Sequence, residues 1–168
     1  LKVGENSRMT VEAGESYYEL LGLPVDQFPP PPELPEVDWF EMEGGLLAEM
    51  IGKTIFSVSE DRFEQHLHGV FLEKVEVAGE PWLRLVSSDG HRLTLVQRQV
   101  PEIDRLSLEN GIIIPAKGAR EISRFLENVD SGSTAKVAVT DKTMAVKAGD
   151  KSIYVRLLEK KFPDYRRI

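Results

Sequence analysis

From Trp39 onward the chain switches between two hydrophobic rhythms, and the switch happens twice. Phe40 and Met42 alternate with Glu41 and Glu43, the period of a strand. Leu47, Met50, Ile51, Thr54, Ile55 and Val58 then fall at i, i+3, i+4, i+7, i+8 and i+11, predicting one buried face of a helix. Alternating runs at Gly69–Val77, Trp82–Val86 and Leu93–Arg98, broken by Gly and Asp turns, predict three strands. About 72 residues on, "IIIPAKGAREIS" superposes on "WFEMEGGLLAEMI": Ile112 on Phe40, Ile114 on Met42, Glu121 on Glu49, Ile122 on Met50. A second helix follows, with Ala119, Ile122, Phe125, Leu126 and Val129 on its inner face. Strands are expected next at Ala135–Val139, Thr143–Lys147 and Ser152–Leu158. The unit is therefore β-α-β-β-β, used twice, over about 38–100 and 108–165. Strands joined by short turns pair antiparallel, so the expected class is α+β with both helices on one side of the sheets.

Residues 1–23 read as two short strands around a turn at Asn6-Ser7, with "SYYELLGL" following. Two strands bury no face, so residues 1–28 are expected to be the tail of a preceding domain. Four consecutive prolines, Pro29 to Pro32, exclude helix and sheet pairing. A semi-rigid linker over 29–37 is the reading, with a proline-rich ligand segment as the alternative. Residues 38–168 then form one complete domain. The chain opens at Leu1 inside a strand-like run and stops at "YRRI", which suggests a piece of something longer.

Composition narrows the chemistry. Apolar content of 41% with 29% charged residues is ordinary for a globular domain. No cysteine means no disulfide framework, no thiol nucleophile and no cysteine zinc site. No apolar run approaches the ~18 residues of a membrane span, and a cytoplasmic protein is expected. A net charge of −7 argues against a generally basic, nucleic-acid-coating surface. Against it, Lys117, Arg120 and Arg124 gather opposite the apolar stripe of the second helix, and Lys53 lies on the outer face of the first. A charge row on a helix is often only a solvated face; it is also what a sequence-independent phosphate track looks like.

Two further clusters invite a site. "SSDGHRLTL" (87–95) sets Asp89, Gly90, His91 and Arg92 between alternating leucines. Asp-Gly there is a hairpin signal, while Asp beside His suggests acid–base chemistry. Ser87 and Ser88 are adjacent, but no Gly-x-Ser-x-Gly elbow frames them, and no catalytic residue is assigned. His66 and His68 share a face at i and i+2 if they lie on a strand, without the further ligands a metal needs. No metal or cofactor is expected. The second cluster is "FPDYRR" (162–167), ending in Arg166 and Arg167. "PVDQFP" holds the corresponding place in the N-terminal piece, as if that domain followed the same plan.

Taken together these residues resemble the bacterial DNA sliding clamp family, the beta subunits of DNA polymerase III. The family pattern is a Ser/Thr-Asp-Gly-His-Arg-Leu turn followed about 70 residues later by Phe-Pro-Asp-Tyr-Arg-Arg. Here those are Ser88 to Leu93 and Phe162 to Arg167, with "GIIIPAKGAREISRFL" between them. The resemblance implies a clamp fold, with antiparallel sheets outside and two helices lining the inner face. It covers the end of a first clamp domain and a complete middle one. It implies a non-catalytic processivity factor whose subunits join head to tail into a dimeric ring around double-stranded DNA, held without sequence specificity. Lys53, Lys117, Arg120 and Arg124 would line the hole, and Arg62, Gln65 and His66 would add contacts from the loop "SEDRFEQH". Location with the nucleoid follows.

A pocket for short linear peptides, of the Gln-x-x-Leu-Phe type, is implied too. Its walls would be Leu67, Ser88, Gly90, His91, Arg92, Leu93, Pro163, Arg167 and Ile168. Apolar Leu67, Leu93, Pro163 and Ile168 would anchor, while Arg92 and Arg167 meet carbonyls or an acidic side chain. Ser88 stands where threonine is common in the family. Implied partners are the polymerase III alpha subunit, the clamp loader, and translesion polymerases and repair proteins carrying clamp-binding motifs. With ring interfaces on the first and third domains of the family, the piece by itself is expected to be monomeric or to associate non-physiologically. Two other readings remain: a clamp-like interaction module not loaded on DNA, and an enzyme built on Asp89 and His91.

Overall fold

The computed structural model describes residues 1–4, 7–30, 37–61, 63–101, 103–106, 108, 110–128 and 132–167. Arg62, Val129 and Ile168, and positions 31–36 of the expected linker, lie outside these. The chain divides into two compact units, Leu1–Glu33 and Leu34–Ile168.

The first unit is a three-stranded antiparallel sheet in the order β1-β2-β3: β1 (Lys2–Val3), β2 (Arg8–Ala13) and β3 (Ser16–Leu21). This corrects the two-strand reading: the break at Gly14, whose φ is 58°, folds a second hairpin that pairs Val11 with Tyr18. None of its described residues is buried, and Tyr17, Tyr18 and Leu21 are exposed. A small sheet with no covering layer is marginal in water.

The second unit contains β4 (Phe40–Glu43), α1 (Gly44–Gly52), β5 (Gly69–Val77), β6 (Glu80–Ser88) and β7 (Leu93–Gln99). The same series follows as β8 (Ile112–Pro115), α2 (Ala116–Glu127), β9 (Thr134–Val139), β10 (Thr143–Ala148) and β11 (Lys151–Arg156). Two four-stranded antiparallel sheets result, β7-β6-β5-β8 and β11-β10-β9-β4. The leading strand of each repeat has crossed to the other: β4 pairs with β9, Phe40 opposite Val137, and β8 pairs with β5, Ile114 opposite Val70. Neither repeat could close its sheet alone. Ile113 bridges Leu158, so the sheets meet edge to edge.

One core lies between the inner sheet faces and the paired helices. Phe40, Leu47, Met50, Leu72, Leu85, Ile114, Ile122 and Val146 are all essentially inaccessible within it. Each such side chain contributes about 1.5–3 kcal/mol relative to exposure. Gly118 lets α2 sit close: a Cβ there would lie 2.3 Å from Val155 Cγ1.

The first helix is shorter than its apolar period suggests. It ends at Gly52; Thr54 turns back and donates to the Met50 and Ile51 carbonyls at 3.0 and 3.1 Å. A terminated helix leaves its last carbonyls short of partners, and the hydroxyl serves both, joining the Thr54 N–H that bonds the Ile51 carbonyl at 3.0 Å. Ile55 opens a 3-10 turn, Ile55–Ser57, that still presents Ile55 and Val58 to the core. His66 and His68 do not share a strand: they fall on and just after the 3-10 turn Gln65–Leu67. Among the described residues no helix is long and apolar enough to cross a membrane, and no cluster of three metal-ligating side chains forms.

Candidate peptide socket and nucleic-acid face

The 88–92 segment is a turn made rigid by its own side chains. Asp89 Oδ1 accepts the backbone N–H groups of His91 and Arg92 at 3.1 and 3.0 Å. Ser88 Oγ donates to the Arg92 carbonyl at 2.8 Å and accepts Gly90 N–H at 3.1 Å. Gly90 takes φ of 81°, which a side chain would resist. The Arg92 and His91 amides, with the Arg92 guanidinium behind them, hold the Asp89 carboxyl below its usual range. A carboxylate so engaged is a turn-former and a poor proton acceptor. Ser87 Oγ donates to the Thr54 carbonyl, so both serine hydroxyls are committed to backbone.

Alternation along β6 puts Arg84, Val86 and Ser88 on the outer sheet face, opposite Gln97, Leu95 and Leu93 of β7. Leu93 and Leu95 are 36% and 39% exposed there. A second apolar cluster covers part of this face: Leu67, Val86, Ile113, Phe162 and Tyr165. Phe162 stacks on Phe71 with centroids 4.8 Å apart and planes 5° off parallel. The "FPDYRR" segment thus lies on the outer face, ending in a 3-10 turn, Tyr165–Arg167.

Beneath it is a polar knot. The Tyr165 hydroxyl donates to Glu73 Oε1 and accepts from Arg84 Nη1 at 2.9 Å. Arg166 Nη2 donates to Glu73 Oε2 at 2.6 Å, and Arg84 forks onto Gln97 Oε1 at 3.0 and 2.7 Å. Glu73 is only 6% exposed. A carboxylate buried unpaired would cost several kcal/mol, and charge-assisted hydrogen bonds return about 1.5–3 kcal/mol each, which accounts for its company of Tyr165, Arg166 and Arg84. Burial first, then the bond to Glu73, raises the Tyr165 hydroxyl above its usual range.

The nine expected socket residues are distributed as follows. Leu67 is buried in the outer cluster with Val86 and Phe162, directly preceding exposed Pro163. Ser88, Gly90, His91, Arg92 and Leu93 form the turn, Ser88 buried and the others exposed. Arg167 is exposed and pairs with Asp164 at 2.7 Å. Ile168 lies outside the described residues. A groove of about 960 Å³ runs along the β8 side of the C-terminal segment, lined by Phe71, Ile112, Lys142 and Lys160, and takes in only Pro163 of the nine. Val86 and Leu95 complete the apolar floor beside the turn; no motif marks them, though their i−2 and i+2 places beside Ser88 and Leu93 put them on the same face.

On the opposite side of the domain, Lys117, Arg120 and Arg124 are exposed while Ala119, Ile122 and Leu126 are buried. Arg124 pairs with Glu121 at 3.1 Å; Lys117 and Arg120 have no ion-pair partner among the described residues. Glu49 on α1 binds both Lys53 and, at 2.9 Å, Arg98 from β7. Lys53 first, with Arg98, lowers the Glu49 carboxyl below its usual range. Arg98 joins this face unpredicted, since a contact across 49 residues leaves no local trace. The Ala116 N–H donates to the His68 carbonyl at 2.9 Å, so the loop with exposed Gln65 and half-buried His66 is fastened to the start of α2 beside Lys117. Arg62 of that loop lies outside the described residues.

Comparison with known proteins places this geometry. The beta sliding clamp of Caulobacter vibrioides (strain NA1000 / CB15N) is 29% identical over 98% of this chain and 43% of its own length. That of Pseudomonas putida is 31% identical over all of this chain and 43% of its own length. Among solved structures, a sliding clamp from Bartonella birtlesii bound to griselimycin superposes with a TM-score of 0.86 at 27% identity, covering 97% of this chain and 43% of that one. The Bacillus subtilis clamp gives 0.83 at 27% identity, covering 97% and 41%. The chain thus spans less than half the length of the relatives it matches. Residues 41–164 match the family model for the central domain of the DNA polymerase III beta subunit, and the chain belongs to that family.

Proposed function

We propose that the intact protein is a DNA sliding clamp, a non-catalytic processivity factor that encircles duplex DNA in the cell interior and tethers a polymerase to it. One observation carries this reading: a chain of net charge −7 keeps two cations, Lys117 and Arg120, without an ion-pair partner among the described residues, on the exposed face of a helix whose other face is core. Contacts of this kind neutralise phosphates without reading bases, so they hold a duplex while permitting movement along it. Lys53, Arg124, Gln65, His66 and Arg62 are proposed to add to the lining. Residues 1–28 are read as the end of a preceding clamp domain and 29–37 as the linker. Tethering raises the local concentration of polymerase at its template with no chemical step.

The turn at 88–93, with Leu67, Pro163, Arg167 and Ile168, is proposed as a socket for clamp-binding peptides of the polymerase III alpha subunit, the clamp loader and repair polymerases. Support comes from the exposed Leu93 and Leu95 beside a rigid turn and an apolar cluster. The test is a processivity assay on primed circular DNA with intact protein and its loader. Lys117→Glu with Arg120→Glu should shorten products strongly, while His91→Ala should abolish stimulation through lost peptide binding. Unchanged products from both variants would point to an interaction module that never loads on DNA.

A further inference from the structure

We propose that Glu73 is a positioning residue for the socket: from β5 it fixes the Tyr165–Arg167 turn, and through it the Pro163 and Arg167 wall. The proposal rests on the socket reading and adds to it the group that sets where the wall stands.

The wall residues do not hold themselves in place. Pro163 is exposed, and the ion pair of Arg167 is to Asp164 within the same short turn. What fastens this segment to the sheet is Phe162 on Phe71 and the grip of Glu73 on Tyr165 and Arg166. Stacking and apolar burial resist separation but tolerate sliding, whereas two hydrogen bonds to the two oxygens of one carboxylate fix direction. Glu73 is the only buried charged side chain among the described residues. A β-branched apolar residue would cover the same area at a sheet-facing position, so burial alone gives no reason for a carboxylate there. Glu73 is 6% exposed and has both carboxylate oxygens engaged by Tyr165 and Arg166, so it acts on a docked peptide through them. Arg84 and Gln97 extend the grip to β6 and β7, the strands that carry the 88–92 turn. Both walls of the socket are therefore referred to one framework.

The experiment uses intact protein and two gentle variants, Glu73→Gln and Tyr165→Phe. Hydrogen exchange at the Tyr165 and Arg167 amides, which bond to the Pro163 and Asp164 carbonyls, should quicken about tenfold while the β5–β6 ladder is unchanged. Affinity for a Gln-x-x-Leu-Phe peptide should fall about five- to tenfold. In an Arg167→Ala background that fall should largely vanish, and in a Leu93→Ala background, outside the Phe162–Tyr165 cluster, it should persist in full. Unaltered exchange at the turn, uniform loosening of the whole sheet, or an equal loss in the Arg167→Ala background would each overturn the proposal. Failure of the unmodified protein to bind the peptide would instead sink the socket reading, and the exchange rates would still decide whether Glu73 positions the turn.

Discussion

Arg92 Nη2 donates to the Phe56 carbonyl at 2.8 Å, and the guanidinium stands 5.7 Å from the centre of the Phe56 ring. With Nε on Asp89 at 2.9 Å, the side chain braces the turn against the segment that follows α1. Arg92 thus has a structural duty alongside any role with a peptide, and part of its donor set remains free for one. Arg92→Lys should lose the brace, because an ammonium cannot fork and stack together. Peptide affinity should drop about tenfold, and Lys should rescue no better than Ala in a titration monitored by calorimetry.

Asp89 gives a pH prediction. Its carboxyl sits below the ordinary value of 3.8, chiefly through the Arg92 and His91 amides. A depressed folded-state value means stabilisation that is present above the unfolded value and lost as pH falls through the folded one. The turn should therefore be insensitive to Asp89 from neutrality down to about pH 5 and open only in stronger acid. A carboxyl carbon titration by NMR should give a midpoint under 3.8; a midpoint above it would refute the hydrogen-bonding scheme.

Gly118→Ala sets two effects against each other. Helix propensity favours alanine by about 1 kcal/mol. Against that, the new Cβ would come within 2.3 Å of Val155 Cγ1 in a close-packed interface, and overpacking costs about 1–3 kcal/mol. Net destabilisation of about 1 kcal/mol is expected by denaturant unfolding, and a stabilised variant would show that α2 packs less tightly on β11 than described.

Glu49 restrains the helix-lined face by holding Lys53 and Arg98. Glu49→Gln should release both cations. Non-specific duplex binding should then tighten, with a log–log salt slope steeper by about one or two phosphate contacts. Filter binding across a salt series would read it; an unchanged slope would place these cations away from the phosphates.

Much of this domain was legible because its periods are clean. Strands and helices of both repeats lie close to where the alternation puts them, and the α2 stripe separated core from charge at Ala119, Ile122, Lys117 and Arg120 without a structure. The exchange of β4 and β8 between repeats was not legible, since pairing partners 97 residues apart, as Phe40 and Val137 are, leave no mark on local pattern. The early end of α1 hid for a related reason: the 3-10 turn after Gly52 keeps the same apolar side inward. The turn at 88–92 and the segment at 162–167 announced themselves as motifs. Glu73 did not, because one glutamate in a half-polar strand looks solvated until Tyr165 and Arg166 are seen above it.

The central claim is topological and is best tested by topology. Intact protein is loaded on nicked circular DNA, freed of unbound material, and followed before and after a single restriction cut. A ring that encircles without gripping should remain on the circle through a salt wash and slide off the ends once the circle is opened. Equal retention on the linear form would mean that Lys117 and Arg120 grip DNA from one side, and that no ring is present.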